Sequence, residues 1–171
     1  MSHIEHEVHI SASACEVFDA FTRFAEFPGF MKSVDLVRRD DRQPDLLYWH
    51  LSLATVPRII ATRISVDRSA KRVRWHGEEG MENDGTVTLT DVDGGTELAL
   101  AVDFEPEGFL ESAGDGLGVI SHRIEADLAR FATYVESAGE QAEGSGPVTE
   151  ALGRGGTPSN RLTEQITPDD R

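Results

Sequence analysis

The stretch that most restricts the fold of this chain is its last helix, Gly108 to Ser137, with the strand that feeds it. Leu98, Leu100, Val102 and Phe104 alternate with smaller or polar residues, the period of a half-buried strand. Glu105-Pro106-Glu107-Gly108 breaks that strand. Beyond it Leu117, Ile120, Ile124, Leu128, Phe131 and Val135 recur every three or four residues. They form one apolar stripe on a helix of roughly 25 residues, close to 40 Å long. A helix of that length needs a long apolar partner, and the rest of the chain offers strands. A curved antiparallel sheet wrapped on one long helix often leaves an apolar hollow between them. The pattern therefore points to a binding cavity more than to a particular catalytic group.

The strands are readable in order. Ile4, His6, Val8 and Ile10 alternate with charged residues in a first strand. Ser13 and Glu16 have the spacing of a capping box. It opens a short helix whose apolar face holds Val17, Phe18, Ala20 and Phe21. Phe24 and Phe27 follow, Pro28 ends regular structure, and Gly29 to Lys32 reads as a second short helical turn. Five further strands are expected at Val34–Arg39, Leu46–Leu53, Arg58–Asp67, Arg72–Gly77 and Thr86–Asp91. Asp93-Gly94-Gly95 joins the last of these to the strand ending at Phe104 as a hairpin. The expected class is α+β, a seven-stranded antiparallel sheet on a long C-terminal helix, with two short helices after the first strand.

Composition bounds the rest. The chain has 171 residues and is 39% hydrophobic, low for a compact domain. Residues 139–171 are rich in Gly, Pro, Ser, Thr and Glu and contain no aromatics. Such a tail does not offset its ordering entropy and is expected to be disordered, which leaves residues 2–138 as the folded unit. The net charge is −15, which repels phosphate backbones and anionic headgroups and argues against nucleic-acid partners. The one cysteine, Cys15, permits no internal disulfide, and its expected role is core packing in a cytoplasmic protein. The N-terminus has neither the basic region nor the apolar run of a signal peptide. No window approaches a membrane span, so no integral membrane association is expected.

FAEFPGFM, WHLSL, RVRWHG and the closing run from Asp103 to Ser137 together resemble the SRPBCC superfamily, the START-like or helix-grip fold. The likeness is greatest to bacterial polyketide cyclase/dehydrase or coenzyme Q-binding-like proteins. It covers residues 3 to about 137 of the sequence. It implies a deep cavity between sheet and long helix that takes a hydrophobic ligand: a lipid, an isoprenoid quinone or a polyketide-like aromatic. The alternatives it carries are an aromatase/cyclase that promotes aldol cyclisation and dehydration in the cavity, and a protein-interaction module of the same fold. A monomer or weak dimer is expected, with no cofactor and no metal.

Strand alternation proposes which side chains face the cavity. Trp49 and Leu51 share one face, as do Arg58, Ile60 and Thr62 on the next strand. Trp75, Val87, Leu89, Leu100 and Val102 follow by the same parity. Phe109, Ala113, Leu117 and Ile120 would close the cavity from the helix, with Phe27, Phe30, Met31 and Met81 near its mouth. For any single position, plain core packing is the competing role. Arg58 is the best catalytic candidate. Its inward parity suits a ligand anion or a developing oxyanion, whereas a place at the strand start would let it reach water.

Other polar groups fit chemistry less well. Tyr48, His50 and His76 have the outward parity. His122 leans to the side of the helix. The row His3, Glu5, Glu7 and His9 has neighbours nearly 7 Å apart, too far to share one ion, and reads as a solvated face. Gly114, Gly116 and Gly118 soften the start of the helix, as a ligand gate, a site of close packing or a loop before the true helix.

Overall fold

The structure is a computed structural model, and it describes residues 2–53, 56–105 and 116–144. Strand β1 (Ser2–Ile10) is followed by helix α1 (Ala14–Phe21) and a 3₁₀ segment, Phe24–Gly29. Six strands follow: β2 (Val34–Arg39), β3 (Leu46–Leu53), β4 (Val56–Asp67), β5 (Arg72–Glu79), β6 (Asn83–Val92) and β7 (Gly95–Phe104). Helix α2 (Gly116–Gly144) closes the chain's described part. The strands form one antiparallel sheet in the order β1-β7-β6-β5-β4-β3-β2. A curled seven-stranded sheet on a long C-terminal helix is the helix-grip arrangement.

Local chemistry accounts for the element ends. Ser13 Oγ accepts from the Glu16 N–H at 3.2 Å and Glu16 Oε2 accepts from the Ser13 N–H at 3.1 Å, so the capping box fixes the start of α1. The second helical piece lies earlier than the expected turn at Gly29–Lys32. It is a 3₁₀ helix that runs through Pro28 instead of stopping before it. Short i→i+3 bonds tolerate this, and Phe27 O accepts from both the Phe30 and Met31 N–H groups as the segment ends. Helix α2 is described from Gly116, not Gly108, and continues to Gly144, past the expected domain edge at residue 138. Gly114 and the tail beyond Gly144 lie outside the described residues.

One continuous core covers the inner face of the sheet, aromatic at one end and aliphatic elsewhere. At one end Phe21, Phe24, Phe27, Phe30, Phe131, Trp49 and Tyr134 form a continuous aromatic cluster, with neighbouring ring centroids 4.5–6.1 Å apart. Helix α2 contributes Tyr134 and Phe131, the latter fully buried. Its edge meets Phe21 at 5.6 Å, and Phe30 lies tilted against it at the same distance. Ile10, Val17, Val73, Val87, Leu89 and Leu98 fill the remaining space with ordinary aliphatic packing. Leu117 was expected in the helix stripe but is exposed, because the apolar contact of α2 begins at Ile120.

Cys15 is exposed, contrary to the expected core role. It occupies the outer side of α1, whose inward positions are taken by Ala14, Val17, Phe18, Ala20 and Phe21.

Phe131→Ala is expected to lower the unfolding free energy by about 3–5 kcal/mol, measured by urea denaturation. A loss below about 1 kcal/mol would show that the aromatic cluster does not hold the helix.

Candidate functional site

Between the sheet and α2 lies a hollow with two lobes. The first, of about 220 Å³, is lined by residues of the 3₁₀ segment, β2 to β7 and α2. The second, of about 180 Å³, reaches deeper under β3 and β4. Phe21, Phe27, Leu51, Ile60, Trp75 and Asn83 wall both, so the lobes adjoin along one seam. Each lobe alone is smaller than a typical small-molecule pocket, and the two together approach its lower range.

The structure brings together eleven of the residues expected from sequence. Phe27, Met31, Leu51, Ile60, Trp75, Met81, Leu100, Val102 and Ile120 line the first lobe. Trp49 and Thr62 line the second. Four others are elsewhere. Val87 and Leu89 are buried in the aliphatic core, away from the hollow. Phe30 stacks on Tyr134 at 4.5 Å, on the far side of the aromatic cluster. Leu117 is exposed. Phe109 and Ala113 lie outside the described residues.

Arg58 requires a correction. It is exposed and is not part of either lobe wall. Its place near the start of β4 lets a long side chain carry its charge to water, so the inward parity does not make it a buried guanidinium. The Trp49 indole N–H, a natural donor for a ligand, is instead held by Thr62 Oγ1 at 2.7 Å.

Sequence reasoning missed Phe21, Ser33, Val34, Ile64, Asn83, Phe104, Ile124, Asp127 and Leu128. The signal for Asn83 was present: it continues the inward parity of Leu89, Val87 and Gly85 back to the first residue of β6. It was hidden in what reads as a polar loop. Asn83 is buried, and its Nδ2 donates to Met81 O at 2.8 Å, which ties the β5–β6 turn to the cavity wall. Trp75 pairs across strands with Gly85. A Cβ built on Gly85 would lie 1.9 Å from the Trp75 ring, so only glycine lets the indole lie over β6.

Asp127 is the ionisable group in the walls among the described residues. It is buried on α2. Its Oδ1 accepts from the Lys32 N–H at 2.9 Å and from Arg130 at 2.8 Å, and its Oδ2 from the Ser33 N–H at 3.4 Å. These bonds fasten the loop before β2 to the helix. Nearer the helix start His6 Nε2 sits 3.0 Å from both the carbonyl and the hydroxyl of Ser121, which fastens β1 to α2. Gly118 has open space where a Cβ would stand, so close sheet–helix packing is not its role.

Other titratable groups singled out in the sequence lie at the surface. His3, Glu5, Glu7 and His9 are exposed, the solvated row that their spacing implied. His76 and His122 are exposed too. His3 lies 3.0 Å from Glu5 and 2.6 Å from Asp103. Hydrogen bonds to these two carboxylates raise its pKa above the ordinary value of 6.5.

An aromatic-stoppered helix-grip fold around an internal apolar hollow is the architecture of START-like proteins. The chain belongs to the family described as "Polyketide cyclase / dehydrase and lipid transport", which it matches over residues 1–136. It is 30% identical over 146 residues to the uncharacterized 17.2 kDa protein in the melC2-rnhH intergenic region of Streptomyces lincolnensis, across 84% of this chain and 96% of that one. Two solved structures share the fold. The Zhui aromatase/cyclase of Streptomyces sp. R1128 superposes with a TM-score of 0.65 at 15% identity, over 83% of this chain and 95% of that one. A START superfamily protein from Mycobacterium smegmatis does so with a TM-score of 0.61 at 15% identity, over 82% and 98%. The family links this fold to hydrophobic ligands, held or cyclised. No described helix is long and apolar enough to cross a membrane.

Two outcomes are expected. Asp127→Ala leaves the Lys32 and Ser33 amides without their acceptor and lowers stability by about 1–3 kcal/mol, with faster hydrogen exchange at those two amides. Unchanged exchange would contradict the anchor. A raised His3 pKa stabilises the fold below the unfolded value, and that contribution is lost as pH rises through the folded value. His3→Gln is therefore expected to be less stable than the parent near pH 5.5 and equal to it near pH 8.5, with thermal melts as the readout. A deficit that grows with pH would contradict this.

Proposed function

We propose that this chain binds a hydrophobic small molecule in the hollow between the sheet and α2. A lipid, an isoprenoid quinone or a polyketide-like aromatic is the class that fits. The observation that carries this reading is the make-up of the walls. Of the seventeen residues lining the larger lobe, Ser33, Asn83 and Asp127 alone are polar. Apolar walls remove ligand surface from water at about 25 cal/mol per Å², so they supply affinity without requiring chemistry. Binding needs no cofactor or metal. The chain's net charge of −15 disfavours a nucleic-acid partner, and a monomer or weak dimer suffices for the site.

Aromatase/cyclase chemistry is the second reading, and one observation favours it. Asp127 lines the hollow as an ionisable group and is placed to meet an acidic C–H of a confined poly-β-ketone. Against it, that carboxylate is engaged by Lys32, Ser33 and Arg130. Both of its oxygens are already occupied by these donors. The balance favours holding a ligand over transforming it.

Native mass spectrometry of the purified chain, with organic extraction, tests the proposal. A bound apolar molecule is expected, and Leu100→Trp, which fills the larger lobe, is expected to reduce its occupancy by about ten-fold or more. Equal occupancy in Leu100→Trp would overturn the placement. Turnover of a poly-β-ketone that is lost in Asp127→Asn would establish the cyclase reading instead.

A further inference from the structure

We propose that the hollow selects a neutral ligand bearing a hydrogen-bonding oxygen, docked on the Asn83 carboxamide and the Trp75 indole N–H, and rejects carboxylates. This rests on the binding reading above and sharpens it to a ligand chemistry.

Asn83 is 6% exposed and sits on the seam between the two lobes. One amide hydrogen goes to Met81 O, which also fixes the orientation of the carboxamide, because a carbonyl cannot accept from an acceptor. Among the described residues, the second amide hydrogen and Oδ1 have no hydrogen-bond partner. Trp75 is in the same position. Its indole N–H has no partner among the described residues, whereas that of Trp49, in the deeper lobe, is taken by Thr62. Also among the described residues, no fully occluded side-chain N or O lacks a partner. Asn83 and Trp75 both line both lobes, so the hollow is the open space the two residues share, and Trp75 also borders a pocket on the outer face of the sheet.

The two groups are neighbours by construction. Trp75 faces Gly85 across the β5–β6 pair, and Asn83 lies two residues before Gly85 on the same face. Together they carry two N–H donors and one carbonyl acceptor in a largely apolar wall, where Asp127 and Thr62 are already hydrogen-bonded. A ketone or quinone oxygen accepts from the donors, and a hydroxyl can also donate to Asn83 Oδ1.

Charge decides against the anionic alternative. Among the described residues no Lys, Arg or His lines either lobe, and Arg58 is exposed. A carboxylate entering the hollow would lose its hydration, and the guanidinium next to the wall, Arg130, is already committed to Asp127 at 2.8 Å. A neutral carbonyl meets none of these penalties.

The test is displacement of the fluorescent probe N-phenyl-1-naphthylamine by three ligands of one shape: 2-acetylnaphthalene, 2-methylnaphthalene and 2-naphthoate. The neutral ketone is expected to displace the probe at about ten-fold lower concentration than either of the others, the worth of about one satisfied hydrogen bond. Asn83→Leu and Trp75→Phe are each expected to bring the ketone close to 2-methylnaphthalene, read as the ratio of the two displacements on the same variant so that a change in probe affinity cancels. If Asn83→Leu fails to fold, Trp75→Phe carries the test, since it removes the N–H and keeps most of the ring. Probe binding with naphthoate equal to or better than the ketone overturns this inference alone, as does a ketone advantage that survives the substitutions. Absence of probe binding to the parent overturns the binding reading and this inference with it.

Discussion

The hollow exists because Phe131 holds α2 against the aromatic corner made by α1 and the 3₁₀ segment. Seven aromatic side chains meet there, and Phe131 is fully buried among them. A stiff helix seated on so bulky a plug does not lie flat on a curled sheet. Toward its N-terminal side, Ile120, Ile124 and Leu128 look across at Leu100, Val102 and Ile60 without filling the gap. Asp127 and His6 act as struts at intermediate points, fixing the helix to the β2 loop and to β1. Ordinary core packing would be denser. A fold that keeps these walls apart gives up dispersion contacts that a filled core would have, and a ligand restores them.

The polar groups divide by role along the same axis. Asp127 is buried but engaged by three partners, so it holds the fold. Trp49 and Thr62 satisfy each other in the deeper lobe. Asn83 and Trp75, on the seam, keep hydrogen-bonding capacity that no described residue uses. Asn83 stands at the first position of β6, beside the turn from β5.

Much of the fold was legible in the residues. Alternation placed β2 and β3 at the ends observed, the Ser13–Glu16 spacing marked the capping box, and the helical stripe from Ile120 to Val135 marked the inward face of α2. The candidate site was legible only in part, for a physical reason. Strand parity reports which face a side chain takes, not how far it lies from the plug. Val87 and Leu100 pair across adjacent strands on one face, yet Val87 is core and Leu100 lines the hollow. Arg58 has the inward parity too, but it is exposed near the start of β4 and lines neither lobe. A bulge at Ala61/Thr62 buries both residues and breaks the alternation locally. Asn83 was obscured because its polar flanks on both sides resemble a loop, although the strand begins there.

The central claim is that the space between α2 and the sheet is where a ligand sits. Amide chemical-shift mapping during titration with N-phenyl-1-naphthylamine tests it most directly. The account predicts saturable shifts at Ile60, Leu100, Ile120 and Ile124, with Val73, Val87 and Leu89 unmoved. Shifts confined to the exposed outer face, around Leu36 and Ile59, would contradict it.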